Sequence, residues 1–264
     1  MNKDKRQGKN IKIGTSGFSY PDWVGPFYPP ELPKEKWLEY YTKHFTFLEL
    51  NFSYYRMPQE KQMEKFLEHP LDYVIKAHRS MTHDRLEGKA AREDFVKAVA
   101  VLQEGGKLAA VLLQFPFSFK YTPDNRKYLL DLLEDLDRLD LVVEFRNPAW
   151  VKDSVFDELE RRKWGVSMLD SPQIKGGMPQ FDAVTSDIAY LRYHGRNDEN
   201  WWSGDNVSRY DYLYSKQELE EWMPRILDMA NRAKTTYISF NNHARGQAIK
   251  NANQLKAILG LPIK

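Results

Sequence analysis

The sequence contains no cysteine. That removes a disulfide framework, a Cys-ligated metal centre and a Cys nucleophile together. Long apolar runs are missing too: no stretch approaches the roughly 18 residues that a membrane-spanning helix needs. The first ten residues are polar and charged, without the apolar centre of a signal peptide. Nor is there an excess of one charge. Lys and Arg total 39, Asp and Glu 37, for a formal net charge of +2. That balance argues against a strongly cationic nucleic-acid clamp and leaves room for a local basic patch. These absences lead to the expectation of a cytoplasmic chain with no membrane partner, made of a frayed segment over 1–10 and one domain over 11–264.

What is present is a repeating alternation. Of the 264 residues, 42% are hydrophobic, enough for a large core. Eight short segments rich in aliphatic and aromatic residues read as buried strands: 11–15, 47–51, 73–78, 109–115, 141–146, 165–170, 189–194 and 236–241. Helical spacing of apolar residues fills most gaps, over 34–44, 59–68, 92–104, 124–137, 153–163, 216–232 and 244–259. Ser215 followed by Glu218 reads as a capping box. Strand–helix alternation implies a parallel sheet. Eight repeats in a chain of this length favour an α/β fold of the single TIM-type (β/α)8 barrel kind. An open doubly wound sheet is the alternative, but no G-x-G-x-x-G follows the first strand. The sixth connection, 171–187, contains Pro172, Gly176, Gly177 and Pro179 and is expected to be irregular.

Alternation across a strand gives each side chain a face. The parity expected to point into the barrel collects Glu49 and Asn51; Val74, Lys76 and His78; Leu112 and Gln114. It continues with Val142, Glu144 and Arg146; Val166, Met168 and Asp170; Arg192 and His194; and Ser239 and Asn241. Inward residues are apolar early in each strand and polar at its C-terminal end, where barrel enzymes keep their chemistry. Burying so many ionisable groups is costly unless they are paired or used. Three cations, Lys76, Arg146 and Arg192, suit a phosphate or carboxylate. Neighbouring carboxylates suit acid–base work. A desolvated Lys76 could instead form a Schiff base. No cofactor is required by the sequence, although Glu49, Glu144, Asp170 and His194 are suitable ligands for a divalent metal. Ser16, in Gly-Thr-Ser-Gly, lacks the surroundings of a hydrolase nucleophile.

Two loops are aromatic. The one after the first strand carries Phe18, Tyr20, Trp23, Phe27 and Tyr28. The one after the seventh carries Trp201, Trp202, Tyr210, Tyr212 and Tyr214, with Arg196 and Arg209. They suit stacking on a sugar or base, packing together as a lid or extra core, or a dimer contact.

The stretches GTSGFSYPDW (14–23), FYPPEL (27–32), ELNFSYYRMP (49–58), LLQFPFSF (112–119), EFRNPAW (144–150), RYHGRN (192–197), YDYLYS (210–215) and FNNHARGQAIKNA (240–252) follow in order. With them the chain resembles the YecE-like family, domain of unknown function 72, over about 11–253. The resemblance implies a barrel and no particular activity. Departures from the family pattern fall at Ser53, at Phe18, where Trp is common, and at Asn147, where His is common. The last removes an acid–base group.

The leading expectation is an enzyme acting on a small polar or anionic, possibly sugar-like, substrate. Glu144 and Glu49 would be base and acid, His194 a proton shuttle and Asp170 a further catalytic carboxylate. Lys76, Arg146 and Arg192 would bind the anion. Asn51, Tyr55, Arg56, His83, Gln114, Asn241 and Asn242 would complete the substrate site. The rivals are a nucleic-acid-binding or metal-dependent phosphodiester-cleaving barrel and a non-catalytic ligand sensor.

Overall fold

The computed structural model describes residues 11–85, 88–205 and 207–263; the segment expected to be frayed, 1–10, lies outside them. Eight parallel strands close into one barrel in sequence order. They are β1 (Ile11–Ser16), β2 (Phe47–Leu50), β3 (Asp72–Lys76), β4 (Leu108–Gln114), β5 (Leu141–Glu144), β6 (Gly165–Asp170), β7 (Ile188–Tyr193) and β8 (Thr235–Phe240). The helices between them are α1 (Trp37–Thr42), α2 (Phe52–Tyr55), α3 (Glu60–Leu67), α4 (Lys89–Glu104), α5 (Pro123–Asp135), α6 (Asp153–Arg161), α7 (Lys216–Glu220), α8 (Met223–Arg232) and α9 (Gln247–Ile258). No helix among the described residues is long and apolar enough to cross a membrane.

Each expected helix forms, with local breaks that have local causes. The pattern over 216–232 divides into α7 and α8 because Pro224 stands in the first turn of α8, where its missing N–H costs nothing. The Ser215–Glu218 capping box starts α7. The sixth connection holds no helix, as its glycines and prolines imply. The short α2 has no amphipathic signature; Ser53 pins it by donating to the Lys76 carbonyl at 2.6 Å. A π-helical turn over Ser80–Asp84 was not legible either.

Two hydrophobic layers result. The larger lies between strands and helices, and the smaller fills the barrel with Phe47, Val74, Leu112, Val142 and Tyr190 among others. Below that filling, Tyr237 donates to Asp72 at 2.6 Å and Lys12 pairs with the same carboxylate, plugging the N-terminal end. The wall requires Gly14, since a Cβ there would lie 2.2 Å from the Phe47 carbonyl oxygen.

The inward parity holds on every strand named except β6. There the register sets Gly165 beside Val142 and Val166 beside Val143. Gly165, Ser167 and Leu169 therefore face in, and Val166, Met168 and Asp170 face the helices. Size explains the inversion in the lower part of the strand: bulky Tyr190 from β7 enters the barrel beside Ser167 and leaves room for a small neighbour. Reading apolar Val166 and Met168 as interior assumed that the interior asks for bulk, which β6 contradicts.

Candidate functional site

The C-terminal ends of the strands build two tiers. The lower tier is closed. Arg192 is 2% exposed and centred between two carboxylates with no exposure at all. Its Nη1 donates to Glu144 Oε2 at 2.6 Å, and its Nη2 and Nε donate to Glu49 at 2.6 and 2.9 Å. Glu49 also accepts from Ser16 Oγ and from Tyr190 OH, both at 2.6 Å. Glu144 accepts from Arg146 Nε as well. Burial opposes the charge on both carboxyls, but the arginines and hydrogen bonds prevail and hold both below the usual carboxylate range.

His194 belongs to this tier. Burial and the Arg146 guanidinium push it down to about 3, so it is neutral at pH 7. Arg146 Nη2 approaches its Nε2 at 3.0 Å, and the Asn241 amide meets its Nδ1 at 3.0 Å.

The upper tier is a cavity of about 880 Å³. Its charged walls are Lys76, Arg79, Arg146, Arg209 and the edge of Arg192, and no carboxylate lines it among the described residues. Lys76 Nζ donates to Gln114 Oε1 at 2.9 Å and lies 4.4 Å from the centre of the Tyr54 ring. Burial and the neighbouring Arg192 push Lys76 down to about 7. His83 meets Tyr54 edge-on at 4.9 Å, and burial together with the Lys76 charge lowers it to about 4. Asn51 donates to Ser16 Oγ at 2.6 Å, while its carbonyl oxygen has no hydrogen-bond partner among the described residues.

Aromatic residues form the rim, and the two aromatic loops divide their work. Trp23 and Tyr28 are fully buried, Tyr28 stacking on Trp37 at 4.7 Å, so part of the first loop is extra core. Tyr20, Trp201, Trp202 and Tyr210 line the cavity instead. Trp202 is exposed and meets Phe117 edge-on at 5.1 Å across the opening.

Several expected site residues stand elsewhere. Glu49, Glu144 and His194 lie beneath the cavity and do not line it. Their oxygens and nitrogens are already engaged, which leaves them poorly placed as base, acid or shuttle. Asp170 faces the helices on the far side of the wall. It accepts from Tyr214 OH and Trp222 Nε1, each at 2.6 Å, and from Arg196 Nη2 at 2.7 Å. Asn242 is buried and ties Tyr212 to Asn251. Arg56 follows α2 in extended backbone, is exposed and does not line the cavity. His78 bonds Ser80 after β3 has ended. Asn51, Tyr55, Lys76, His83, Gln114, Arg146, Arg192 and Asn241 do converge on the cavity. No three His, Asp or Glu side chains group as metal ligands would among the described residues. The expected ligand set is split between two faces of the wall. Arg79 and Tyr54 were not anticipated; they sit on a turn and a short helix, where strand parity gives no signal.

A family model described as "Protein of unknown function DUF72" matches residues 12–264. The UPF0759 protein YunF of Bacillus subtilis is 30% identical, with 95% of each chain covered. The crystal structure of a DUF72 family protein from Thermotoga maritima superposes with a TM-score of 0.88 at 35% identity, covering 95% of this chain and 99% of that one. One from Enterococcus faecalis gives 0.85 at 25% identity, covering 96% and 97%.

Proposed function

Because the chain belongs to the DUF72 family, whose description carries no activity, we propose its function from the cavity itself: an enzyme that binds a small anionic substrate at the barrel mouth and moves a proton at Lys76. One observation carries this reading. Five cationic side chains and no carboxylate line the cavity among the described residues, while the carboxylates beneath are spent on Arg192 and Arg146. A pocket so lined favours phosphate or carboxylate groups. The aromatic rim favours a substrate with a flat or ring-bearing part. Lys76 has no carboxylate partner among the described residues and is poised to exchange a proton near neutral pH. The exposed Trp202 and Phe117 also fit a terminal nucleobase.

The test is calorimetric titration with phenyl phosphate, inorganic phosphate and a short single-stranded oligonucleotide. Phenyl phosphate is expected to bind more tightly than inorganic phosphate, and Arg209→Ala to weaken both about tenfold, as the loss of a charge-assisted contact does. Absence of binding at millimolar phosphate ester removes the reading. An oligonucleotide that binds more tightly than phenyl phosphate, with a steep salt dependence, replaces it with nucleic-acid recognition.

A further inference from the structure

We infer that Lys76 is a nucleophile that condenses with a carbonyl group of the bound anion, so that the substrate class is a phosphate- or carboxylate-bearing aldehyde or ketone. The inference rests on the anion-binding reading above and goes past it by naming the covalent step.

The geometry separates Lys76 from every other cation of the mouth. Arg192 holds two glutamates, Arg146 holds Glu144, and Arg79 pairs with Asp84 at 2.8 Å. Arg209 is in no ion pair among the described residues and donates to the Gly204 carbonyl at 3.4 Å. Lys76 alone is a primary amine, and among the described residues it has one hydrogen-bond acceptor, Gln114 Oε1. An anion is held better by guanidinium forks, of which the mouth has several. A lysine adds what arginine lacks, a nitrogen that can lose its proton and attack. Burial and the neighbouring Arg192 and Arg146 favour that state and outweigh the ring face of Tyr54, which favours the cation, so a neutral amine is present at pH 7.

The step balances. The Lys76 nitrogen lone pair forms an N–C bond, and the carbonyl π pair moves to oxygen, which takes a proton. That proton comes from the nitrogen and gives a carbinolamine. The second nitrogen proton goes to the hydroxyl, which leaves as water as the C=N bond forms, and a neutral imine remains. No oxidant or reductant is consumed. His83, neutral at pH 7 and packed on the same tyrosine ring, is placed to take the proton from nitrogen and return it to the departing hydroxyl. The guanidinium groups hold the anionic end meanwhile.

The experiment uses the full chain and pyridoxal 5′-phosphate, an aldehyde that carries a ring and a phosphate, at equimolar concentration. Sodium borohydride then reduces any imine to a stable secondary amine, and the label is counted by intact mass and located by peptide mapping. The expected result is one label per chain, on the peptide containing Lys76. Inorganic phosphate should suppress it, and pyridoxal, which lacks the phosphate, should react at least tenfold more slowly. Lys76→Met and Lys76→Arg, each checked for a native circular-dichroism spectrum, should lose that label, and Lys76→Arg, which keeps the charge, should bind phosphate more tightly than Lys76→Met. Label spread over surface lysines at equal rates in wild type and variants overturns the proposal. Phosphate binding with Lys76 unlabelled overturns the imine and leaves the anion site standing. Failure of both phosphate and the aldehyde to bind removes both.

Discussion

Two carboxylate centres sit on opposite faces of one barrel wall, equally buried and differently employed. Inside, Glu49 and Glu144 surround Arg192 and make an almost neutral floor. Outside, Asp170 gathers Tyr214, Trp222 and Arg196, fixing both ends of the aromatic loop that follows β7. None of the three carboxylates is exposed to solvent, and each of their oxygens accepts a hydrogen bond. The inner one spends its charge on holding guanidinium groups in place, which leaves Lys76 above it without a counter-ion. The outer one spends its charge on backbone architecture, through the loop that brings Trp201, Arg209 and Tyr210 to the cavity. A buried acid is therefore weak evidence for acid–base work; what its oxygens already hold decides the question.

The sharpest way to break this comparison is to remove Arg192. Arg192→Met strands Glu49 without a cation and is expected to cost about 3–5 kcal/mol in urea denaturation. Part of that loss should return on going from pH 8 to pH 5, as Glu49 becomes able to take a proton; a loss independent of pH would mean that packing, not charge, is what Arg192 supplies. Asp170→Asn should cost less, about 2–3 kcal/mol, by turning an amide N–H toward buried donors. It should also weaken phenyl phosphate binding through the loop while leaving Lys76 titration intact. Equal effects of the two variants on Lys76 would erase the distinction between the centres.

The pH dependence of stability is a smaller effect with a definite sign. His194 is pushed down to about 3 and His83 to about 4, against an ordinary value of about 6.5. Below pH 6.5 the unfolded chain binds protons that the folded chain refuses, so stability falls as pH drops. Between pH 6.5 and 4.5 this precedes titration of the lower tier's carboxyls, so His194→Gln should flatten the slope of the melting temperature there by up to one proton. A slope unchanged by the variant would show that another group drives it. Least affected should be Arg56→Ala, exposed and outside the cavity. Its stability is expected within about 0.5 kcal/mol of wild type, with unaltered phosphate affinity by calorimetry.

Much of the fold was legible because its signals are local. Aliphatic runs ending in polar residues mark all eight strands, and parity placed Glu49, Lys76, Gln114, Glu144, Arg146 and Arg192 in the interior. The rest depends on neighbours far along the chain. Arg192 meets Glu49 across 143 residues, and no spacing rule predicts that the pair will neutralise each other. Parity on β6 failed because the small residues that fit beside Tyr190 are recognised only once β7 is alongside. Arg56 failed because it lies beyond the end of β2, past a short helix, where strand parity no longer applies. The polar ring was visible in the sequence, but its division into a closed floor and an open mouth was not.

The plug at the other end of the barrel carries a kinetic consequence. With Lys12, Asp72 and Tyr237 closing the base and Phe47, Tyr190 and their neighbours filling the bore, the cavity is cut off from the N-terminal end of the barrel. If the proposed reaction runs there, its product leaves by the mouth through which the substrate entered, and added product is expected to inhibit in competition with substrate, which initial rates would check.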